Sequence, residues 1–206
     1  MKEVLDEYGI LLVSDEVQTG WGRTGASFFG IGAHGVTPDA LTFAKGLGNG
    51  LAVGGVVARP ELMDSLTANS ISTAGGNPVA MTAGLATLGY LLSHDLQANA
   101  DKIGERLLTG LRAIADGCPL VGDVRGTGLM IGVELVLPGT RKPHTEATTA
   151  VLELAREREL LVGRGGLLGN VIRVTPPMTV TGDEAEEALA VLGDVLTRVG
   201  DSVLDT

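Results

Sequence analysis

The chain has 206 residues with one cysteine, a 44% share of hydrophobic residues and a formal net charge of −10. The hydrophobic share excludes a disordered chain, the single cysteine excludes a disulfide framework and a cysteine-based zinc site, and the acidic balance argues against nucleic acid as a partner. No apolar stretch approaches the roughly 20 residues of a membrane helix and no signal peptide is visible, so we expect a cytoplasmic protein with neither a membrane segment nor a metal site.

Helix and strand signals alternate in the first half of the chain. A helix over residues 2–8 is predicted to end at a glycine, and the apolar run that follows it is typical of a parallel sheet. Short buried strands are predicted at residues 10–13, 40–44 and 53–58. The first two flank an irregular glycine-rich loop, residues 20–35. Pro60 predicts a short helix over residues 61–67, and the segment 78–93 is apolar on nearly all sides, which predicts a buried helix.

The second half begins with an amphipathic helix, predicted over residues 95–115 because its apolar side chains share one face. A mixture of strands and helices follows. Two strands are predicted around Gly126-Thr127-Gly128, others at residues 160–162 and 171–174, and helices at residues 145–159 and from 182 onward. This organisation predicts two domains, 1–105 and 106–206.

Asp15 is the first residue whose position points to chemistry. It follows the apolar run Ile10-Leu11-Leu12-Val13-Ser14, so it is predicted at the carboxyl end of a buried strand, where open α/β sheets bind ligands. An ATPase binds Mg²⁺ with an Asp-Glu pair after such a strand, and Asp15-Glu16 matches that pattern. A pyridoxal-phosphate enzyme places an aspartate against the pyridinium nitrogen, which keeps the ring protonated.

Lys45 helps to separate these two interpretations. It ends the next predicted strand, so its side chain and that of Asp15 would open at the same edge of the sheet. The apolar approach Leu41-Thr42-Phe43-Ala44 would desolvate the amine, and desolvation lowers the pKa of a lysine and frees the amine to react with an aldehyde. The ATPase interpretation requires a GxxxxGK loop, which could lie only upstream of Met1, because this sequence contains no Gly-Lys pair.

Five segments carry a family resemblance. In chain order they are residues 12–25 (LVSDEVQTGWGRTG), 39–50 (DALTFAKGLGNG), 73–78 (TAGGNP), 123–134 (DVRGTGLMIGVE) and 169–177 (GNVIRVTPP). Together they resemble motifs of the class III aminotransferases, the ω-amino-acid group of fold type I pyridoxal-phosphate enzymes. The resemblance implies an α/β fold: the C-terminal part of the cofactor domain, with an incomplete and mostly parallel sheet, followed by a small α+β domain.

The resemblance also implies roles around the cofactor, pyridoxal 5′-phosphate. Asp15 would pair with the pyridinium nitrogen, Val17 would pack on the ring face, and Gln18 would reach the 3-oxygen of the ring. Lys45 would hold the cofactor covalently and then move a proton between the substrate carbon and the cofactor as general base and general acid.

Two further residues would complete the site. Thr73 would donate to the cofactor phosphate of the neighbouring subunit, which implies a homodimer, and Arg173 would bind a carboxylate of an amino acid or 2-oxo acid substrate. Ala74 stands where the family usually has Phe, and Ala52 where it often has Pro. These departures concern the substrate and not the Lys and Asp chemistry.

Family members are about twice as long, and the resemblance supplies only their second half. We therefore expect a fragment, in which the sheet would keep an uncovered strand edge and uncovered apolar helix faces. Two alternatives to an active aminotransferase stay open. The chain is an inactive remnant or half of a split enzyme, or it belongs to another class III reaction: a decarboxylase, an aminomutase or a phospholyase.

Overall fold

A computed structural model describes residues 1–69 and 71–204 and divides the chain into two compact units, Met1–Gln97 (unit 1) and Ala98–Thr206 (unit 2). The predicted domain division at residues 105 and 106 lies inside a long helix, and it stays a prediction.

Unit 1 combines short helices with a small sheet. Its elements are α1 (Lys2–Glu7), β1 (Val13–Asp15), a 3-10 helix at Gly30–His34, β2 (Ala40–Phe43), a second 3-10 helix at Lys45–Gly48, β3 (Gly55–Ala58), α2 (Pro60–Met63) and α3 (Pro78–Ser93). The sheet has the order β1-β2-β3. β1 and β2 are parallel, whereas β3 runs antiparallel to β2, so the sheet is mixed.

The first strand differs from its prediction in position and in burial. β1 begins at Val13, because the backbone N–H of Leu12 donates to the carboxylate of Asp39 at 2.8 Å and is not free for the strand ladder. Ile10, Leu11 and Val13 are each at least half exposed. The predicted burial of this strand is therefore wrong, because no layer formed by the described residues covers its outer side.

α3 has the predicted bounds. Asn77 caps its first turn by accepting from the backbone N–H of Ala80 at 3.0 Å, and Pro78 stands at the first helical position, where its missing N–H is not needed. The predicted burial of this helix is wrong, because among its large apolar residues Val79 and Leu85 are mostly exposed.

Unit 2 packs helices against an antiparallel sheet. Its elements are α4 (Leu96–Asp116), which starts in the last two residues of unit 1, β4 (Val121–Thr127), β5 (Met130–Leu135), α5 (Thr145–Glu157), β6 (Gly163–Gly165), β7 (Val171–Val174) and α6 (Gly182–Leu204). The sheet order is β4-β5-β7-β6, with every neighbouring pair antiparallel.

The strand predicted at residues 160–162 is observed as β6 at Gly163–Gly165. The shift follows from how α5 ends. The N–H of Leu160 donates to the carbonyl of Ala155 at 2.9 Å, the N–H of Glu159 donates to that of Arg156 at 3.0 Å, and Glu159 has a φ of +64°. This is a Schellman ending, so Leu160 belongs to the helix terminus and the strand starts later.

One hydrophobic core lies within unit 2. The apolar face of α4 supplies Leu107 and Leu111, and alternate residues of β5 point into the same core. Gly104 lets α4 approach the β4–β5 turn, since a β-carbon there would lie 2.3 Å from the carbonyl oxygen of Gly128. The structure thus has the α/β character that the sequence predicted. Across residues 1–69 and 71–204, no helix has both the length and the apolar character needed to cross a membrane.

Candidate active site

Asp15 and Lys45 lie at the same edge of the unit 1 sheet. β1 and β2 are parallel with Asp15 opposite Thr42, and Lys45 follows β2 directly after Ala44. One oxygen of the Asp15 carboxylate accepts from the backbone N–H of Val17 at 3.1 Å and from the Thr42 hydroxyl at 3.4 Å. These two donors fix the carboxylate at the carboxyl end of both strands.

The backbone at Lys45 is unusual. Lys45 opens a 3-10 helix with a φ of +48°, a left-handed conformation that costs of order 1–3 kcal/mol for a residue with a β-carbon. Its side chain is exposed, so the desolvation expected from the preceding strand is not observed. The strand fails to desolvate it because all four residues of β2 are themselves only half-buried.

The remaining cofactor residues expected in unit 1 are on or near loops. Val17 is half-buried beside Asp15, and Gln18 is exposed immediately after it. Thr73 is exposed in the loop before α3, far along the chain from the other three. Among the described residues, none forms a hydrogen bond with the Gln18 or Thr73 side chain.

Arg173 belongs to unit 2, on the exposed face of β7 between buried Ile172 and Val174. Its side chain lies across β6, where a β-carbon at Gly165 would be 2.5 Å from Arg173 Cδ. Arg173 lines a cavity of about 400 Å³ with an apolar floor that includes Leu107 and Leu192.

Glu16, which the sequence singled out only as part of the Asp15-Glu16 pair, has the most hydrogen-bond partners of any side chain in this region. The carboxylate of Glu16, only 1% exposed, accepts from the backbone N–H of Ile31 and the Ser14 hydroxyl with one oxygen, at 2.8 and 3.0 Å. Its other oxygen accepts from the backbone N–H of Gly30 at 2.8 Å and from the Thr19 hydroxyl. Burial raises the pKa of Glu16, but these four hydrogen bonds together outweigh it and hold the pKa below its ordinary value.

The loop closed by Glu16 carries an aromatic cluster. The ring of Trp21 meets those of Phe28, Phe29 and Phe43 edge to face, with centroids 5.7, 5.5 and 5.2 Å apart. Phe43 is the last residue of β2, two positions before Lys45. The loop therefore packs against the end of β2, two residues before the candidate catalytic lysine.

A second buried carboxylate, that of Asp39, connects three segments at the opposite end of the sheet. Asp39 accepts from the Leu12 N–H and pairs with Lys2 and Arg59, each at 3.2 Å. The hydrogen bond from Leu12 is the main cause that lowers the pKa of Asp39, with further contributions from Lys2 and Arg59. Neither the burial nor the partners of Glu16 and Asp39 were predicted from the sequence, because a carboxylate's partners depend on loop contacts that show no periodicity in the sequence. The one available signal was an acid next to an apolar run.

Metal binding gains no support from the structure. Among the residues it describes, no group of three or more His, Cys, Asp or Glu side chains is placed to hold a metal ion.

Comparisons with known proteins point to one family. The sequence model of the family described as aminotransferase class-III matches residues 1–196. The chain is 44% identical over 186 residues to alanine–glyoxylate aminotransferase 2 homolog 2, mitochondrial, of Arabidopsis thaliana, covering 89% of this chain and 39% of that protein. It is 43% identical over 192 residues to an alanine/serine racemase of Pyrococcus horikoshii, covering 93% of this chain and 40% of that protein.

A solved structure agrees with these relatives. A phospholyase from Arthrobacter in complex with phosphoethanolamine superposes with a TM-score of 0.91 at 37% identity, covering 95% of this chain and 47% of that one. The chain thus spans less than half the length of these three proteins, and the fold expected from the five sequence segments is confirmed. The chain belongs to the class III aminotransferase family.

Proposed function

We propose that this chain carries the lysine and the aspartate of a pyridoxal-phosphate site. In the complete enzyme that site would move an amino group between an amino acid or ω-amine and a 2-oxo acid. The observation that carries the proposal is the parallel pairing of β1 and β2, which brings Asp15 and Lys45 to one sheet edge. The name of the Arabidopsis relative describes an amino-group transfer of this class.

The residues at this edge fit pyridoxal phosphate. Two hydrogen bonds orient the Asp15 carboxylate, which suits it to pair with a protonated ring nitrogen. Lys45 presents an exposed primary amine with no ion pair to any described residue, which suits it to bond covalently to an aldehyde. The bound cofactor would withdraw electrons from the substrate carbon that bears the nitrogen.

Lys45 would perform the proton transfer. Its Nζ would take the proton from the substrate carbon as general base and deliver a proton to carbon 4′ of the cofactor as general acid. Both steps need an amine that is not held in an ion pair. The left-handed backbone at Lys45 supports this role, because such strain concentrates at functional sites.

Other residues would position the cofactor. Val17 would pack on the ring face and Gln18 would donate to the 3-oxygen. Thr73 would bind the phosphate of a neighbouring subunit, so that a homodimer would share its sites. The exposed Gln18 and Thr73 side chains leave their polar atoms available for this.

Arg173 would bind the substrate carboxylate. Its exposed side chain lies over the glycines of β6 and lines the unit 2 cavity, which leaves a planar cation accessible to a carboxylate. An aminotransferase needs such a group because both the amino acid and the 2-oxo acid carry a carboxylate.

Covalent labelling tests the cofactor proposal. The purified chain is incubated with pyridoxal phosphate, reduced with borohydride and mapped by peptide mass spectrometry. We expect one label, on Lys45, and its loss in Lys45→Ala. Lys102→Ala, at an exposed lysine of α4, is the matched control and should label like the wild type. Equal labelling of Lys45→Ala and the wild type would refute the proposal.

Two of the similar proteins are named for other reaction classes. One is named as a racemase and the other as a phospholyase, at identities close to that of the aminotransferase relative. The products formed from alanine distinguish amino-group transfer from racemisation. Transfer from alanine to a 2-oxo acid yields pyruvate, whereas racemisation in D₂O replaces the α-proton of alanine with deuterium from the solvent and forms no pyruvate. Exchange without pyruvate would replace the aminotransferase proposal with the racemase one.

A turnover assay on the purified chain tests whether it is active by itself. An active preparation supports an enzyme, and labelling without turnover supports half of a split enzyme or a remnant. An open frame in the DNA upstream of Met1 that encodes a phosphate-binding loop would show a start-site error, whereas stop codons there would indicate a remnant. A cytoplasmic location is proposed from the sequence. Because the Arabidopsis relative is named as mitochondrial, cell fractionation is needed to test it.

A further inference from the structure

The buried carboxylate of Glu16 closes a long loop onto the end of β1. Its partners on the loop, Thr19, Gly30 and Ile31, include two that lie 14 and 15 residues away along the chain. The fourth donor, Ser14, lies in β1 itself. One side chain thus joins the strand that carries Asp15 to both ends of the following loop.

The loop backbone packs closely around Glu16 and Thr19. The N–H of Gly20 donates to the carbonyl of Glu16 at 3.0 Å. A β-carbon at Gly20 would lie 2.9 Å from that carbonyl oxygen, and one at Gly30 would lie 2.8 Å from Thr19 Cβ. A side chain at either position would therefore require the loop backbone or Thr19 to shift.

The closed loop reaches the two residues of the proposed chemistry from both sides. Asp15 and Val17 flank Glu16 in the chain, and the backbone N–H of Glu16 donates to the carbonyl of Thr42 at 2.9 Å. On the other side, the ring of Trp21 packs on Phe43, whose strand ends before Lys45.

We propose that Glu16 is a positioning residue, whose carboxylate holds the loop so that Asp15 and Lys45 keep the relative placement needed to bind the cofactor together. The inference rests on the proposed function for its cofactor and on the structure for its contacts. Glu16 itself touches no reacting atom, since all four acceptor positions of its carboxylate are occupied by the chain.

Glu16→Gln tests this role with little change in volume. Each carboxylate oxygen accepts from one backbone N–H, either Gly30 or Ile31, and a backbone N–H cannot become an acceptor. The amide –NH₂ of glutamine would therefore face an N–H donor in either orientation. Glu7→Gln, at an exposed position of α1, is the matched control.

Two readouts follow the loop and the site separately. Trp21 is the single tryptophan of the chain, so its fluorescence reports on the loop. Pyridoxal-phosphate affinity, measured by borohydride-trapped label on Lys45, reports on the site. In Glu16→Gln we expect Trp21 emission at longer wavelength, affinity weakened about tenfold or more, and an unchanged far-UV circular dichroism spectrum.

The outcomes that overturn the inference are distinct from failure of the proposed function. Wild-type affinity in Glu16→Gln, or an equal loss in Glu7→Gln, would overturn it. If Glu16→Gln does not fold, Ser14→Ala and Thr19→Val decide: each should weaken affinity about two- to fivefold, and wild-type affinity in both would overturn it. If the wild type takes up no cofactor, the proposed function fails, and unchanged Trp21 emission in Glu16→Gln would then show that Glu16 does not hold the loop.

Discussion

Different interactions stabilise the interior of unit 1 and the interior of unit 2. Of the 27 hydrophobic residues that are buried in the described part of the chain, only Ala80 and Leu91 belong to unit 1. Unit 1 instead buries the carboxylates of Glu16 and Asp39, each satisfied by hydrogen bonds or ion pairs. The candidate lysine and aspartate thus lie in the unit with the small core. Polar contacts define its geometry, whereas apolar burial stabilises unit 2.

The exposed apolar side chains sharpen this contrast. Val13, Val57 and Leu85 of unit 1 are all more than half exposed, as expected of a sheet edge and helix face that nothing in the described chain covers. We therefore expect most of the measurable stability to come from unit 2. Four experiments test this expected difference between the two units.

The largest effect is expected from the unit 2 core. Leu107→Ala removes a side chain that is 1% exposed, and we expect a loss of about 2–5 kcal/mol in the free energy of unfolding. Leu85→Ala makes the same change at a 73% exposed position of α3 and should stay within about 0.5 kcal/mol. Urea unfolding followed by far-UV circular dichroism measures both. Similar losses in the two variants would contradict the division of stability between the units.

Two helix glycines provide the next comparison. In Gly104→Ala the new β-carbon would meet the backbone of Gly128, and we expect a loss of about 1–3 kcal/mol. Gly89→Ala in α3 has no atom within 4 Å of the new β-carbon and should instead stabilise by about 0.5–1 kcal/mol through helix propensity. Thermal melts of the two variants should move in opposite directions, and a stabilising Gly104→Ala would refute the close approach.

Glu159 offers a gain within unit 2. It occupies the left-handed position of a Schellman ending, where glycine carries no β-carbon penalty. Glu159→Gly should therefore raise the free energy of unfolding by about 1 kcal/mol. Urea denaturation checks this, with Glu157→Gly, at the last residue of α5, as a control expected to lower stability. A destabilised Glu159→Gly would show that the left-handed strain is not present.

Acid should affect unit 1 locally, with the smallest change in total helix content. The folded pKa of Glu16 lies below its ordinary value, so its stabilising contribution is complete above about pH 4.3 and is lost as the pH falls through the folded pKa. We expect Trp21 emission to shift on acidification below about pH 4. The far-UV signal, to which the helices of unit 2 contribute, should persist to lower pH. Simultaneous loss of both signals would contradict a separate response of the loop.

Sequence periodicity was sufficient where one face of an element is buried. The amphipathic pattern of α4 predicted nearly the observed bounds because it reflects a single buried face, and the short run at residues 171–174, in which only Arg173 is exposed, predicted those of β7. For α3 the pattern predicted the bounds correctly but not the exposure of Val79 and Leu85. An all-round apolar pattern shows that a helix can be buried, but it does not show that a neighbour is present to bury it.

The candidate site shows the same limit. Asp15 and Lys45 were predicted at one sheet edge, and the parallel pairing of β1 with β2 confirms that placement. The exposed amine of Lys45 was not foreseen, because solvation depends on what covers the strand and not on the strand's own residues.

The sequence by itself indicated the family, the types of most elements and the candidate pair Asp15 and Lys45, since motifs and periodicity are local properties of the chain. Only the tertiary structure showed that β3 runs antiparallel, that Glu16 closes its loop and that Asp39 ties three parts of unit 1. These features join residues far apart in the chain. Their energies depend on distances and burial that exist only after folding.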